Sequence, residues 1–144
     1  METSLHQDLK VRYGFDRGGL CEVAVAGYRI DAVDEEGTLV EVQSGALGAL
    51  KPKLRKLLPD HRVRIVKPVV LRRKIIRRDR VDAPERSGRQ SPKRGLLVDV
   101  FDDLVGVAAF LTDKNLSVDL LGVSIEEVRV ARRRRPGYHV VDRR

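Results

Sequence analysis

The sequence predicts a mixed α/β fold, and three observations carry that prediction. The stretch Tyr28–Lys56 reads as strand, acidic turn, strand and basic helix: two alternating apolar runs precede leucines at three- and four-residue spacing. Further alternating runs flank it, at Leu20–Val25 and Arg62–Lys67. The 144 residues, 42% hydrophobic and 35% charged, suffice for one domain with a real core and a small extension. No apolar run approaches the ~20 residues needed to cross a bilayer, and METSLHQDLK lacks the layout of a signal peptide. The single cysteine, Cys21, allows neither an internal disulfide nor a cysteine-based zinc site. The expectation is a soluble protein of a reducing compartment, the cytoplasm.

Thr3 is placed to cap a helix ending near Tyr13, with Leu5, Leu9 and Tyr13 on one face and His6 and Asp8 on the polar side. Leu20–Val25 and Tyr28–Val33 form a hairpin about Ala26-Gly27, which sets Glu22 opposite Asp31. In the next turn, a three-residue loop Glu35-Glu36-Gly37 puts glycine at the left-handed position and sets Asp31 opposite Glu41. That register gathers Glu22, Asp31, Glu41 and Gln43 on one face. It leaves Val23, Val25, Tyr28, Ile30, Ala32, Val40 and Val42 on the apolar one.

Ala46–Leu58 reads as a helix burying Leu47, Leu50, Leu54 and Leu57, its regular part starting near Lys51 because Pro52 fits only a first turn. Arg62–Lys67 is a fourth strand, Pro68 a break or an edge, and Val69–Ile76 a fifth strand. The segment 79–95 is a basic loop or linker. Leu96–Leu111 has helical spacing, with Leu97, Phe101, Leu104, Ala108 and Leu111 on one side, Asp99, Asp102 and Asp103 in solvent, and Gly106 as a splitting point. Strands at Leu116–Val123 and Tyr138–Val141, with the basic turn between them, have the pattern of a winged-helix-like appendage. The organisation expected is a core over 1–78, a linker over 79–95 and a small α+β extension over 96–144.

Charge is distributed unevenly. Residues 1–50 hold 4 basic and 9 acidic residues, residues 51–94 hold 17 and 4, and the remainder balances. Carboxylates beside a basic stretch suit chemistry on a polyanion, with Lys51, Arg55, Arg72, Arg73, Lys74, Arg77 and Arg78 against phosphates. Three neighbouring carboxylates repel one another, and a divalent cation relieves the conflict. Oxygen ligands favour one or two Mg²⁺ or Mn²⁺ ions on Asp31, Glu41 and Glu22. The alternative is that these acids pair with Arg29, Arg12 or basic groups of the following helix.

The order helix, three-strand meander, helix, strand, with Asp31, Glu41 and Gln43 as D-x9-E-x-Q, resembles the restriction-endonuclease-like core of the PD-(D/E)XK nuclease superfamily. The resemblance covers roughly residues 3–70. Within that superfamily the chain resembles a prokaryotic branch that carries E-x-Q in place of E-x-K. The resemblance implies that Asp31 and Glu41 hold metal, that Val42 offers a carbonyl and that Glu22 is an extra acid. Gln43 stands where the lysine belongs; an amide orients water but transfers no proton near neutral pH. Lys51 or Lys53 of the next helix is the substitute, with Arg55 as well placed, and the catalytic set is Asp31, Glu41, Gln43 and Lys53. The expected function is metal-dependent hydrolysis of DNA phosphodiester bonds. The alternative is a catalytically degenerate nuclease fold that binds nucleic acid or regulates. DNA is the expected partner, with RNA as the alternative and no membrane; a homodimer is compatible with the sequence.

Overall fold

The computed structural model describes residues 2–86 and 88–144; Met1 of the expected core and Ser87 of the expected linker lie outside them. A mixed sheet runs through the described chain. Helix α1 (Ser4–Tyr13) is followed by an antiparallel meander of β1 (Leu20–Val25), β2 (Tyr28–Val33) and β3 (Leu39–Val42). A 3-10 turn (Leu47–Leu50) leads into α2 (Lys51–Leu57), which returns the chain to β4 (Val63–Arg78), parallel to β3. A two-residue strand, β5 (Arg89–Gln90), pairs with β4; then come α3 (Val100–Val105), β6 (Leu116–Ala131) parallel to β4, and β7 (Tyr138–Arg143) antiparallel to β6. No helix among the described residues is long and apolar enough to cross a membrane.

Both turn chemistries act as the sequence predicts. Ala26 and Gly27 take positive φ, as a two-residue hairpin requires, and Val25 pairs with Tyr28. Gly37, at φ 79°, closes the three-residue loop, and Ala32 pairs with Val40. The Asp34 carboxylate fixes that loop by accepting from Glu36 N at 3.0 Å and Thr38 N at 2.9 Å.

Alternation along β3 and β4 builds a core on each face of the sheet. Leu39, Val63 and Ile65 join Leu47, Leu54 and Leu57 of the α2 side, whereas Val40, Val42 and Val66 join Leu9 and Tyr13 of α1. The apolar set expected on a single face is therefore divided. Ala32, Val40 and Val42 pack beneath α1, while Val25, Tyr28 and Ile30 reach the α2 core. The 3-10 turn followed by a regular helix from Lys51 matches the expected effect of Pro52. Thr3 sits at the N-cap of α1 without a side-chain cap bond. Instead Asp142 of β7 accepts from Ser4 N at 2.8 Å and from Ser4 Oγ at 2.6 Å.

Pro68 breaks nothing: β4 is one strand of 16 residues rather than two. Val66 O accepts from Gln43 N, so residues 66 and 68 direct their backbone polar groups to the β3 side. Beyond Val42 that side has no strand, and the missing N–H of proline costs no ladder bond. The segment 79–95 folds back along this vacated edge. Arg86 N donates to Arg77 O, β5 pairs with Lys74 and Ile75, Ser91 N donates to Arg73 O, and Gly95 N donates to Val70 O.

The C-terminal segment differs most from expectation. Its first helix is a 3-10 turn (Leu97–Asp99), α3 and a second 3-10 turn (Ala108–Phe110), divided at Gly106 as expected. Val100 and Val107 are the buried positions, while Leu97, Phe101 and Leu111 are exposed, because the two 3-10 turns shift the helical phase. Asp103 is not simply solvated: it pairs with the buried Lys67 at 3.0 Å. The following strands belong to the main sheet instead of a winged-helix appendage, because β6 matches β4 over its whole length, roughly 50 Å at ~3.3 Å per residue.

Glu127 locks the far half of this ribbon. It is 1% exposed and accepts from Arg129 Nε at 2.8 Å and Arg143 Nε at 3.1 Å, with Arg73 Nε 3.6 Å away. Burial opposes its charge, but the arginine hydrogen bonds and the charges of Arg73 and Arg129 hold its pKa below the usual value. Its stabilising contribution is thus fully present above the ordinary carboxylate pKa and is lost as pH falls through the lower folded value. Glu127→Ala is expected to cost roughly 1–3 kcal/mol by leaving the partly exposed Arg73, Arg129 and Arg143 without their shared acceptor. A lowered denaturant midpoint with unchanged slope reads this out; a loss under about 1 kcal/mol contradicts it.

Candidate functional site

The site forms where β2 and β3 part. Their ladder ends at Ala32–Val40, and the next register pair is Asp31 and Glu41. There a side chain replaces the ladder: Asp31 Oδ2 accepts from Val42 N at 2.8 Å. Strand alternation turns the Val42 carbonyl to the same fork, since Gln43 N is already committed to Val66 O on the β4 side.

Glu41 is 5% exposed on the α2 face. Lys53, one turn into α2, donates to Glu41 Oε2 at 2.8 Å and to Arg29 O at 3.2 Å. The other carboxylate oxygen, Oε1, is buried with no hydrogen-bond partner. Burial, reinforced by the nearby Asp31 charge, raises the Glu41 pKa above the ordinary value despite the opposing pull of Lys53.

Lys10 enters from α1 and is likewise 5% exposed. Its ammonium lies 2.6 Å from Glu2 Oε1 and 3.4 Å from Asp31 Oδ1, and it donates to Glu22 Oε1. Burial disfavours this ammonium, but the bonds to Glu2 and Glu22 and the Asp31 charge outweigh it and raise the Lys10 pKa. Glu22 has a left-handed backbone, φ 58°, within β1; it pairs with Lys10 and Arg29, and its pKa is lowered chiefly by Lys10. His6 Nε2 is 3.5 Å from Asp31 Oδ2 and 3.6 Å from Glu2 Oε1.

The expected site residues thus separate. Asp31 and Glu41 meet at the fork, and Lys53 joins them. Glu22 is held by Lys10 and Arg29, the kind of ion pairing that stood as the alternative to metal. Gln43 turns away, donating from Nε2 to Ala46 O at 3.2 Å within the turn after β3. Lys51 and Arg55 are exposed on α2. Of the basic residues of β4, Arg73 faces Glu127, Lys74 pairs with Glu126 at 3.2 Å and Arg78 with Glu85 at 2.6 Å. Arg77 lies over the Tyr138 ring at 4.8 Å, and Arg72 is exposed.

Glu2, His6 and Lys10 are the residues that sequence reasoning missed. Their four-residue spacing runs beside the apolar stripe Leu5–Leu9–Tyr13, so the signal was a polar stripe adjoining an apolar one. His6 accordingly faces the acids instead of open solvent. Among the described residues no group of three His, Cys, Asp or Glu is arranged to hold a metal ion. The donors that fit a hard cation are two carboxylates and a strand carbonyl, and the orphaned Glu41 oxygen is the atom that lacks a partner.

Lys10→Met leaves Glu2, Glu22 and Asp31 facing one another and is expected to destabilise the protein by roughly 3 kcal/mol. Millimolar Mn²⁺ is expected to restore part of that loss in a thermal melt, because a bound cation replaces the ammonium charge. An unchanged melting temperature in the variant contradicts the assignment.

Residues 3–144 match the family described as Domain of unknown function (DUF8091). An "Uncharacterized protein" of Treponema pallidum (strain Nichols) is 39% identical over 147 residues, an overlap that takes in 99% of this chain and 58% of that protein. The chain therefore spans less than two thirds of that relative's length. No solved structure matches it. With nearly its whole length matched, the chain belongs to the DUF8091 domain family.

Proposed function

We propose that the protein is a metal-dependent nuclease with a restriction-endonuclease-like core, hydrolysing DNA phosphodiester bonds at the fork between β2 and β3. The observation that carries this reading is the buried Glu41 oxygen without a partner, beside Asp31 and opposite a lysine. A buried carboxylate oxygen is stable when it is protonated or bound to a cation. The element order α1, meander, α2 and a β4 parallel to β3 supports the same reading.

In this proposal Asp31, Glu41 and the Val42 carbonyl hold Mg²⁺ or Mn²⁺. When bound, the ion supplies Lewis-acid activation of a water and of the scissile phosphate. Lys53 holds Glu41 in place and contributes the positive charge that Gln43 lacks. Lys10 keeps Asp31 and Glu22 from repelling each other and fixes the Asp31 side chain. Arg72 and Arg77 of β4, with Lys51 and Arg55 of α2, offer charge to the phosphate backbone.

A second reading rests on Lys10. Its ammonium already satisfies Glu22 and lies near Asp31, which leaves less negative charge for a cation than the bare acids would. In that reading the fork is a structural ion cluster, and the chain is a nucleic-acid-binding or regulatory module.

Incubation of plasmid and linear DNA with Mn²⁺ separates the two. Wild type is expected to cut; Asp31→Asn and Glu41→Gln are expected to bind DNA and not cut; Lys53→Met is expected to lose about 10–100-fold in rate. Because Glu41, whose pKa is raised by burial, must be ionised to bind metal, cutting at sub-saturating Mn²⁺ is expected to rise with pH as that carboxyl loses its proton. DNA binding by all four proteins with no cutting by any selects the second reading.

A further inference from the structure

Outside the fork, a basic pocket of about 310 Å³ lies on the edge of β4, lined by Arg72, Arg73, Gln90, Ser91 and Arg94. It exists because β3 stops at Val42 and the chain returns along the vacated edge, bringing residues 89–95 against residues 70–75 of β4. Its lining comprises three arginines, a glutamine and a serine, and no carboxylate. Among the described residues neither Arg72 nor Arg94 has a carboxylate within 4.0 Å, although much of the neighbouring ribbon is ion-paired. Arg73 is held from behind by Glu127 at 3.6 Å, too far for a hydrogen bond, and its Nε is buried without a partner.

We infer that this pocket binds a phosphate monoester, the terminal phosphate of a polynucleotide. Converging guanidinium groups match the oxygens of a phosphate with forked, charge-assisted hydrogen bonds. A monoester carries close to two negative charges near neutral pH, against one for an internal diester, so the two unopposed cations, Arg72 and Arg94, favour the terminal group. The pocket is separate from the fork. Glu41 pairs with Ile65, and Arg73 lies eight residues further along β4, roughly 25 Å at ~3.3 Å per residue. The carrier of the phosphate rests on the nucleic-acid reading above; the chemistry of the pocket does not.

Fluorescence anisotropy in EDTA, where cutting is prevented, tests this with one labelled oligonucleotide bearing either a terminal phosphate or only hydroxyl ends. The phosphate is expected to tighten binding about tenfold. Arg94→Gln is expected to abolish that increment while hydroxyl-ended binding stays within about twofold, and Arg72→Gln is expected to abolish the increment together with some of the hydroxyl-ended binding. Arg55→Gln, which removes equal charge elsewhere, should keep the increment. Equal binding of both oligonucleotides by wild type, with no saturable effect of inorganic phosphate, overturns the inference. So does an increment that survives both pocket variants. If no oligonucleotide binds, yet inorganic phosphate raises the melting temperature of wild type and not of the variants, the pocket stands and the nucleic-acid reading falls.

Discussion

Like-charge repulsion at one end of the meander is the constraint on which the rest of the arrangement turns. Glu2, Glu22, Asp31 and Glu41 are brought together by two tight turns and a helix start. Water screens such a cluster poorly once two of its neighbours, Glu41 and Lys10, are buried. Each face of the sheet answers with one lysine from its own helix, Lys10 from α1 and Lys53 from α2. The compensation is unequal. The α1 side is saturated by an ammonium among three acids, whereas Glu41 keeps one oxygen with nothing to bind.

The parting of β2 from β3 and the short length of β3 connect the fork with the arginine pocket. The first leaves Asp31 and the Val42 peptide facing a gap in place of a neighbouring strand. The second exposes the edge of β4 beyond Val66, which tolerates Pro68 and receives the returning basic segment. Glu41 thus pairs with one part of β4, at Ile65, and the arginine pocket lies on the exposed edge further along it. Glu127 stiffens the ribbon between β4, β6 and β7 by turning three arginines inward, which leaves Arg72 and Arg94 as the cations directed elsewhere.

Local chemistry made much of this legible in the sequence. Gly37 and Ala26-Gly27 determine two registers, and from them the meeting of Asp31 with Glu41 follows by counting. Pro52 similarly marks where α2 becomes regular. What escaped depends on contacts distant in the chain. The single strand through Pro68 is intelligible only once β3 is known to stop short. The length of β6 comes from its partner β4, not from its own weak alternation. The α1 stripe Glu2–His6–Lys10 reads as solvent-facing until the helix is docked on β2 and β3. Gln43 shows the limit of motif reasoning, since its position fits the pattern while its amide is spent on Ala46 O.

Whether the fork holds a cation decides most of this account, and diffraction from crystals soaked in Mn²⁺ tests it most directly. An anomalous peak is expected between Asp31 and Glu41, on the side of the free Glu41 oxygen, and absent from crystals of Glu41→Gln. A featureless map at the fork under saturating Mn²⁺, with Lys10 and Lys53 holding the same carboxylates, would contradict it.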